Sequence, residues 1–578
     1  MCCKLTGNGH RFYHSPDRGR GTLARTPLMR KLEQLARDAH LAKLTGKSVE
    51  QVAEERRQGA WTRRTFLKAT GATLGAAALG GPIAAFASSA PRIAIVGGGI
   101  AGLNAALTLA DAGITSTIYE ASPSRIGGRM HSDSPLVAGG DNYFQGQVSE
   151  YCGEFIDSNH KTILHLAQRF GLLTDDVLQA QPNGSTETYY FNHGYYSYDQ
   201  ASKDFQPVHN VLQGQVQAAG YPTLYNNSTA AGTQFDHLSL YDWIEQYVDG
   251  GHSSDFGRLL DSAYNQEYGA DTTDQSSLNL IYLLGFTAKP GNFSIYGASD
   301  ERYHIHGGNQ RLPETIKAYL DTTGRVNVQM GMRMNTIKAN GDGRFSLFFD
   351  GSSTAVVVDR LILCMSFAAL RTLDYSEAGF DRLKQTAITE LGAGKNAKLN
   401  LQFDSRYWNT TGPWGFSNGD VYTDIGFQNA WDVTRAQAGT NGIMVNYTGG
   451  SVAGSLHPSI PYSNASNNQQ VTTYAKAFLK HLEIVFPGIS PHWTGRANLS
   501  TPFLDPNLYC SYSYWKLGQY TKFSGYEKAR QPDPKTGKCH FAGEHCSQDF
   551  QGFMEGGAQE GARAASEILS DYKAGIPY

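Results

Sequence analysis

The chain has 578 residues, too many for one ordinary domain of roughly 100–200 residues, so its length predicts several domains. With 17% charged residues, 40% hydrophobic residues and 64 glycines, its composition excludes a coiled coil, a collagen-like chain and a wholly disordered chain. Residues 1–87 carry 15 Lys and Arg against 6 Asp and Glu, and residues 88–578 carry 34 against 46. This acidic body makes nucleic acid a poor candidate partner and favours cationic small molecules.

Residues 1–87 have the pattern of an N-terminal extension followed by an export signal. The run TRRTFLK at 62–68 contains a twin arginine, and no charged residue follows it until Arg92. The stretch between is rich in Ala and Gly, and AFA at 85–87 fits a small-residue cleavage site. We therefore predict export by the twin-arginine translocase, to the periplasm or the exterior. An uncleaved signal that anchors the protein in a membrane is the alternative.

The segment after the leader predicts a dinucleotide-binding unit. Residues 92–119 predict strand, helix and strand, with the apolar runs RIAIV and STIY at the two ends. Gly97, Gly99 and Gly102 form G-x-G-x-x-G, which permits a tight turn, the approach of a pyrophosphate and close packing of helix and strand. Glu120 follows the second strand, where an acid accepts hydrogen bonds from ribose hydroxyls.

A second glycine-rich motif distinguishes FAD from NAD. Arg125, Gly127, Gly128 and Arg129 lie in RIGGR, which matches the pattern R-x-G-G-R. Here the chain resembles the flavin-containing amine oxidase superfamily, which carries this motif just after the ribose acid. The resemblance implies that the arginines lie near the pyrophosphate of FAD and that the glycines let the backbone pass close to it.

The resemblance continues at the end of the chain. FAGEH is similar to a family segment whose acid binds the ribityl chain of the flavin, here Glu544 after Gly543. GFMEGGA is similar to G-[YF]-M-E-G-A, which implies that Phe553 and Met554 contact the flavin. It also predicts a helix whose N-terminus would stabilise the reduced ring.

The middle of the chain carries the same resemblance. HIHGGNQRLP at 304–313 is similar to the segment before a strand that contacts adenine, here around Met332. The resemblance implies an α/β (α+β) fold: an FAD-binding Rossmann-like domain of the glutathione-reductase type, built from discontinuous segments, and a substrate domain with a mixed sheet and helices. The predicted FAD-binding segments are 91–171, 297–372 and 500–572, and the predicted substrate-domain segments are 172–296 and 373–499.

One lysine is the first candidate for a catalytic role. LGAGKNAKLNL is similar to the family strand carrying a lysine that reaches flavin N5 through a water. Spacing from Gly394 favours Lys398 over Lys395. The resemblance implies that Lys398 assists the reduction of O2. A solvated strand face is the alternative for both lysines.

Aromatic side chains are the candidates for holding the substrate. Family members flank the amine with aromatic faces, and the resemblance places Phe553 at one wall. Tyr514 and Trp515 are predicted to supply the other wall, where a cation–π attraction would hold an ammonium. Ordinary core packing is the alternative for these residues.

The cysteines and histidines bear on cofactor attachment and metal binding. Cys510 has a spacing to Gly518 similar to that of the flavin-linked cysteine of monoamine oxidases, but its neighbours differ from that motif. We therefore predict non-covalent FAD and a packed Cys510. His304 and His306 lie in a glycine-rich loop, and no metal is predicted there.

The substrate is the least determined feature of the sequence. Where venom-type L-amino-acid oxidases carry a carboxylate-binding arginine, this chain reads EYCGEFID and contains Glu154. Glu154 could pair with a distal ammonium of Lys, Arg or a polyamine, or it could be a structural or flavin-side acid. We predict an FAD-dependent oxidase that deaminates L-amino acids, basic or aromatic, to 2-oxo acids, with release of ammonia and H2O2, by hydride transfer to flavin N5.

Two other activities stay open, a mono- or polyamine oxidase and an amine dehydrogenase with an acceptor other than O2. Dimers are common in the family, so a homodimer is expected by analogy.

Overall fold

The computed structural model describes residues 91–286 and 293–576. The predicted leader at 1–87, with its twin arginine, lies outside the described residues. No helix in the described part of the chain is long and apolar enough to cross a membrane.

Five parallel strands from distant parts of the chain form one sheet. Each strand is short, and the central strand Ile93–Val96 is apolar and buried throughout, as expected for a parallel sheet covered on both faces. The two strands predicted around the G-x-G-x-x-G motif are confirmed, as Ile93–Val96 and Ser116–Tyr119. The spatial order of the sheet is Cys539–Phe541, Arg360–Leu363, Ile93–Val96, Ser116–Tyr119, Val326–Gln329.

A mixed sheet of nine strands forms the second layer of the fold. All but one of its pairings are antiparallel, and Asn396–Phe403 lies inside it, buried along its whole length. The spatial order is Tyr462–Asn464, Trp493–Ser500, Asn396–Phe403, Gly442–Gly449, Asn429–Asp432, Gly415–Thr423, Thr186–Phe191, Gly194–Tyr196, with Thr411–Gly412 paired to Gly415–Thr423.

Smaller sheets connect these layers. One antiparallel sheet contains Met334–Ala339, Phe345–Phe349 and Val356–Val358. Three two-stranded pairs are Ser132–Asp133 with Ser149–Glu150, Thr174–Asp176 with Tyr303–Ile305, and Gly392–Ala393 with Ser513–Tyr514.

Helices cover both large sheets. Several begin at a Ser, Thr or Asp side chain that accepts a hydrogen bond from the first turn, but the helices that begin after Gly99 and Phe553 have no such cap. In chain order they are α1 Ile100–Asp111, α2 Lys161–Arg169, α3 Tyr198–Ala219, α4 Ala230–Asp236, α5 Leu240–Tyr247, α6 Asp255–Tyr268, α7 Leu278–Leu284, α8 Arg311–Thr323, α9 Phe367–Leu370, α10 Arg382–Glu390, α11 Gly450–Gly454, α12 Gln469–Val485, α13 Gln519–Phe523 and α14 Met554–Lys573.

The first and last of these helices pack directly on each other. A Cβ on Gly561 of α14 would overlap the carbonyl oxygen of Ala101 in α1, so the close approach requires glycine. The side-chain amide of Asn104 donates to the carbonyl of Ala558 at 2.7 Å. This contact joins chain segments more than 450 residues apart and brings the uncapped N-termini of α1 and α14 to the same cavity.

The mixed α/β architecture agrees with the predicted fold class. The parallel sheet takes strands from each of the segments 91–171, 297–372 and 500–572. The exact bounds between the two predicted domains stay a prediction.

Candidate functional site

A cavity of about 1010 Å³ contains nearly all of the candidate residues. Its nucleotide side is formed by residues next to the parallel sheet, and its substrate side by Lys398 and residues of the nine-stranded sheet and its helices. Glu154 also lines the cavity. The predicted cofactor-binding residues that line it are Gly97, Gly99, Glu120, Arg125, Gly127, Gly128, Arg129, Met332, Gly543, Glu544, Phe553 and Met554.

The N-terminus of α1 is built to receive a phosphate. Its cap residue Gly99 offers no side-chain acceptor, and the first turn contains no acidic residue, so the amides at this end keep their positive charge unopposed. A Cβ on Gly99 would meet only the carbonyl oxygen of Gly127, at 3.9 Å. Gly102 does not line the cavity, but a Cβ there would overlap the carbonyl oxygen of Gly97, which supports its predicted packing role.

Glu120 is held at the end of its strand in the position expected of a ribose acid. Its carboxylate accepts from the backbone N–H of Gly98 at 2.7 Å and of Ser122 at 2.8 Å. Burial raises the pKa of Glu120, against the opposing effect of these two N–H groups. Each oxygen keeps a further acceptor position for a ribose hydroxyl. The N–H of Met332 donates to the Glu120 carbonyl at 2.8 Å, which places the predicted adenine-side residue beside it.

An ion pair between a partly exposed arginine and a buried carboxylate joins two motifs from opposite ends of the chain. Arg129 donates to Glu544 at 2.9 Å, and the same carboxylate accepts from the Ser513 hydroxyl at 2.7 Å and from the Gly552 N–H at 3.0 Å. Burial raises the pKa of Glu544, but Arg129 and the other donors outweigh it and the pKa is lowered. Protein donors already occupy this carboxylate, so its contact with the ribityl chain stays a prediction.

Taken together, the donors of the nucleotide side fit FAD. An uncapped helix N-terminus, an acid at the ribose position and the open space beside Gly99 all lie on this side of the cavity. Cys510 is buried, is free of any disulfide and does not line the cavity. Its position is consistent with the predicted non-covalent binding of the cofactor.

Lys398 lies buried on the substrate side of the cavity. Its ammonium donates to Glu154 Oε2 at 2.7 Å and to the carbonyl of Cys152 at 2.8 Å. It also lies 5.4 Å from the ring centroid of Trp431. Lys395, the alternative weighed from the sequence, is exposed. The structure therefore brings Lys398, and not Lys395, into the candidate site.

The suggested contact between Glu154 and a distal substrate ammonium stays a prediction, and the structure shows this carboxylate engaged within the protein. Both oxygens of Glu154 already have partners, Lys398 at Oε2 and the indole N–H of Trp431 at Oε1, the latter at 3.0 Å. A substrate cation would have to compete with the ammonium of Lys398 for the carboxylate of Glu154.

The predicted aromatic wall at Tyr514 and Trp515 is corrected. Trp515 packs in the core against Tyr520 and Phe523, and the Tyr514 hydroxyl donates to Asp274 at 2.5 Å. Neither residue lines the cavity.

Other aromatic residues line the substrate side of the cavity. Phe553 lines the cavity as predicted and packs edge-on against His160, with ring centroids 5.1 Å apart. Tyr447 and Tyr512 also line it, with their hydroxyls 2.9 Å apart. Trp431 completes this group. Tyr447 and Trp431 belong to no recognisable motif, because their strands lie far from the cofactor segments along the chain.

Four carboxylates on the substrate side were missed by sequence analysis. Glu187, Glu267, Glu301 and Asp420 all line the cavity, and Asp420 forms an ion pair of 2.7 Å with Arg435. We call these four residues the acidic lining. They come from four separate segments and form no motif, so only the fold reveals them.

Burial changes the titration of the acidic lining. It raises the pKa of Glu187 to about 7 and that of Glu267 to about 8, and it raises the pKa of Glu301 well above its ordinary value. The carboxylates of Glu267 and Glu301 have no hydrogen-bond partner in the part of the chain that the structure describes. A bound cation would therefore stabilise their ionised forms.

This titration predicts that a cation of fixed charge binds more tightly as the pH rises. Between about pH 6 and 9 the acidic lining loses protons and gains negative charge, so we expect the Kd of hexamethonium to fall by roughly fivefold or more. Isothermal titration calorimetry would measure it, since a bis-quaternary ammonium keeps its charge across this range. Glu267→Gln should reduce the pH dependence, and the exposed Glu377→Gln serves as the control. A pH-independent Kd would contradict the prediction.

The two histidines of the glycine-rich loop lie near one carboxylate, that of Asp175. His304 lies 3.8 Å and His306 lies 3.1 Å from Asp175. The described ranges contain no group of three or more His, Cys, Asp or Glu side chains placed to hold a metal ion.

Comparison with known proteins shows which family combines these features. The model of the family of flavin-containing amine oxidoreductases matches residues 100–569. The chain belongs to this family. The resemblance seen in the motifs is thereby confirmed, as are the enzyme class of flavin-containing amine oxidoreductases and the flavin cofactor, with FAD as the dinucleotide that the cavity fits.

Relatives with different substrates are similar to the chain. The L-amino-acid oxidase of Siganus canaliculatus is 22% identical over 498 residues, which cover 82% of this chain and 85% of that protein. The putrescine oxidase of Kocuria rosea is 25% identical over 340 residues, which cover 55% of this chain and 66% of that protein. Cyclohexylamine oxidase from Brevibacterium oxydans IH-35A has a TM-score of 0.67 at 19% identity, covering 84% of this chain and 100% of that one, which confirms the fold class.

Proposed function

We propose that the protein is an FAD-dependent oxidase of amines that carry a second cationic group. The observation that supports this is the acidic lining: four carboxylates on the substrate side of the cavity face one guanidinium, that of Arg435. The pair of Lys398 and Glu154 is neutral as a whole and does not change this balance. Because burial raises the pKa of Glu187, Glu267 and Glu301, a bound cation stabilises their ionised forms, so the acidic lining favours a substrate with more than one positive group.

The first candidate substrate is an L-amino acid with a basic side chain. Arg435 donates to both oxygens of Asp420 and to the carbonyl of Asp432, which uses three of its five N–H donors. The remaining two could receive an α-carboxylate while Glu267 and Glu301 face the side-chain cation. The products would be a 2-oxo acid, ammonia and H2O2. An aromatic side chain would leave the acidic lining without a partner.

A diamine or polyamine is the second candidate. It is favoured by the two-point ion pair between Arg435 and Asp420, which already neutralises the guanidinium that a carboxylate would need. An elongated dication would instead contact the acidic lining at more than one point. The similarity to the putrescine oxidase of Kocuria rosea supports this candidate, and that to the L-amino-acid oxidase of Siganus canaliculatus supports the first.

The chain's own residues would orient the reacting amine. Bound FAD would supply the chemistry, by accepting a hydride from the carbon next to nitrogen and passing the electrons to O2. Phe553, Tyr447 and Tyr512 offer aromatic faces and edges that hold the amine and exclude water. The uncapped N-terminus of α14 directs its positive end toward the cavity, where Met554 and Gly557 form part of the wall. Lys398 presents its ammonium to the same space.

Anaerobic bleaching of the flavin at about 450 nm tests the proposal with matched substrates. L-lysine and L-norleucine differ only in the terminal ammonium, and L-lysine and cadaverine differ only in the carboxylate. We expect L-lysine or cadaverine to bleach the flavin at least about tenfold faster than L-norleucine or n-pentylamine at equal concentration. An oxygen electrode then distinguishes an oxidase from a dehydrogenase.

The outcomes of this comparison distinguish between the two candidate substrates and between an oxidase and a dehydrogenase. Faster bleaching by L-lysine than by cadaverine supports the amino-acid candidate. In that case Arg435→Gln should weaken the binding of L-lysine but not that of cadaverine. The reverse order supports the diamine candidate. Equal rates for L-lysine and L-norleucine would remove the acidic lining from substrate selection, and bleaching without O2 consumption would make the protein a dehydrogenase.

We also propose that the protein is exported by the twin-arginine route. The support is the sequence alone, Arg63 and Arg64 before an apolar stretch that ends in a cleavage pattern. Arg63→Lys together with Arg64→Lys should retain the protein inside the producing cells, as measured by fractionation.

A further inference from the structure

We propose that Glu154 is a positioning residue, which holds the Lys398 ammonium at the cavity wall and does not bind substrate. The inference rests on the proposed oxidase function, in which Lys398 serves the reaction with O2. It replaces the role in substrate binding that the sequence suggested for Glu154.

The donors of Lys398 are divided between the protein and the cavity. Glu154 Oε2 and the carbonyl of Cys152 accept two of them, at 2.7 and 2.8 Å. An ammonium has three N–H donors, and the described residues accept only these two. Since Lys398 lines the cavity, the third is left for a water or reactant there.

Glu154 is itself fixed from several directions. The indole N–H of Trp431 donates to its second oxygen at 3.0 Å, and the side-chain amide of Asn309 donates to its backbone carbonyl at 2.6 Å. The preceding residue, Gly153, donates its N–H to the carbonyl of Arg129 at 3.0 Å. Arg129 belongs to the predicted pyrophosphate motif. The loop therefore sets the position of Lys398 relative to the nucleotide side of the cavity.

Because Lys398 and Glu154 are both buried, each charge needs the other as its partner. The side chains of Lys398 and Glu154 are only 7% and 5% exposed. Removing one partner of a buried ion pair leaves the other charge without compensation. A substrate ammonium at Glu154 would compete with Lys398 for this carboxylate, whereas Glu267 and Glu301 have no bonded cation among the described residues with which a substrate would compete.

A double-mutant cycle tests whether Glu154 acts through Lys398. The holoenzyme and the variants E154Q, E154D, K398M and E154Q/K398M are reduced with dithionite and mixed with O2 in a stopped-flow instrument. Misplacement of a reacting group by about 1 Å can cost about 100-fold in rate, so we expect E154Q to slow reoxidation by about 10- to 100-fold. E154D, which keeps the charge, should recover part of this loss. The double variant should be no slower than K398M alone.

A second readout does not depend on turnover. Acetylation of the holoenzyme with acetic anhydride, followed by peptide mass spectrometry, reports how freely Lys398 reacts relative to the exposed Lys395. We expect E154Q to increase the relative labelling of Lys398 several-fold. E377Q, which breaks the exposed pair between Lys338 and Glu377, is the matched control and should leave the ratio unchanged.

Two results would overturn the proposal. If the losses of reoxidation rate in the two single variants add up in the double variant, Glu154 acts independently of Lys398. Weaker binding of L-lysine relative to L-norleucine in E154Q, with normal reoxidation and labelling, would return Glu154 to the substrate site. Because dithionite reduces the flavin without any amine, this test stands even if the amine panel shows that the proposed substrate class is wrong.

Discussion

Replacing Lys398 with Met is expected to slow reoxidation of the reduced flavin by O2 by about 100- to 1000-fold, the usual cost of removing a preorganised charged donor. Lys398 has the only lysine ammonium among the cavity-lining residues that the structure describes, and two fixed acceptors hold it there. Methionine keeps the length and apolar stem of lysine, so the change removes mainly the charge and the donors. Stopped-flow reoxidation of the anaerobically reduced enzyme measures the effect.

The control for this experiment is the neighbouring lysine. Lys395 is exposed and does not line the cavity, so Lys395→Met should reoxidise at the rate of the unaltered enzyme. The rate of flavin reduction by the amine should change less than the rate of reoxidation in Lys398→Met. Unchanged oxygen kinetics in this variant would remove Lys398 from the reaction with O2.

Replacing Gly102 with Val is expected to prevent stable binding of FAD. A Cβ at this position would overlap the carbonyl oxygen of Gly97, and backbone on both sides is fixed by the first strand and α1. Overpacking costs about 1–3 kcal/mol, and each 1.4 kcal/mol is about tenfold in Kd. We therefore expect the Kd of FAD to rise at least about tenfold, measured by the flavin retained per chain after dialysis.

A glycine elsewhere provides the comparison. Gly214 lies inside α3, where a Cβ would meet no atom within 4 Å. Gly214→Ala should retain flavin fully, because alanine fits there and favours the helix. Full flavin content in Gly102→Val would show that the turn after the first strand does not hold the cofactor closely.

Local motifs made the nucleotide side predictable. Gly97, Gly99 and Glu120 lie within one unit of strand, turn, helix and second strand, so their relative positions follow from spacing along the chain. The pairing of Arg129 with Glu544 connects two motifs that a family resemblance had already marked, although the contact itself was not predicted.

The substrate side depended on contacts that spacing along the chain cannot give. Trp515 was expected in the site, but core packing around Tyr520 and Phe523 is the better use of a large apolar ring. Tyr447 was not expected there, yet strand pairing places it directly beside Lys398. A period of two residues along a strand predicts which face a side chain takes, but not what lies opposite that face.

The sequence by itself therefore determined the family resemblance, the FAD-binding motifs and the preference for Lys398 over Lys395. Each of these depends on residues within a short continuous segment. Tertiary structure alone decided the partner of Glu154 and the existence of the acidic lining. Glu187, Glu267, Glu301 and Asp420 come from four distant segments, and each taken singly resembles an ordinary surface acid. Only when the nine-stranded sheet and its helices fold around one cavity do these charges face the same space, where burial and mutual repulsion make them a recognition surface for cations.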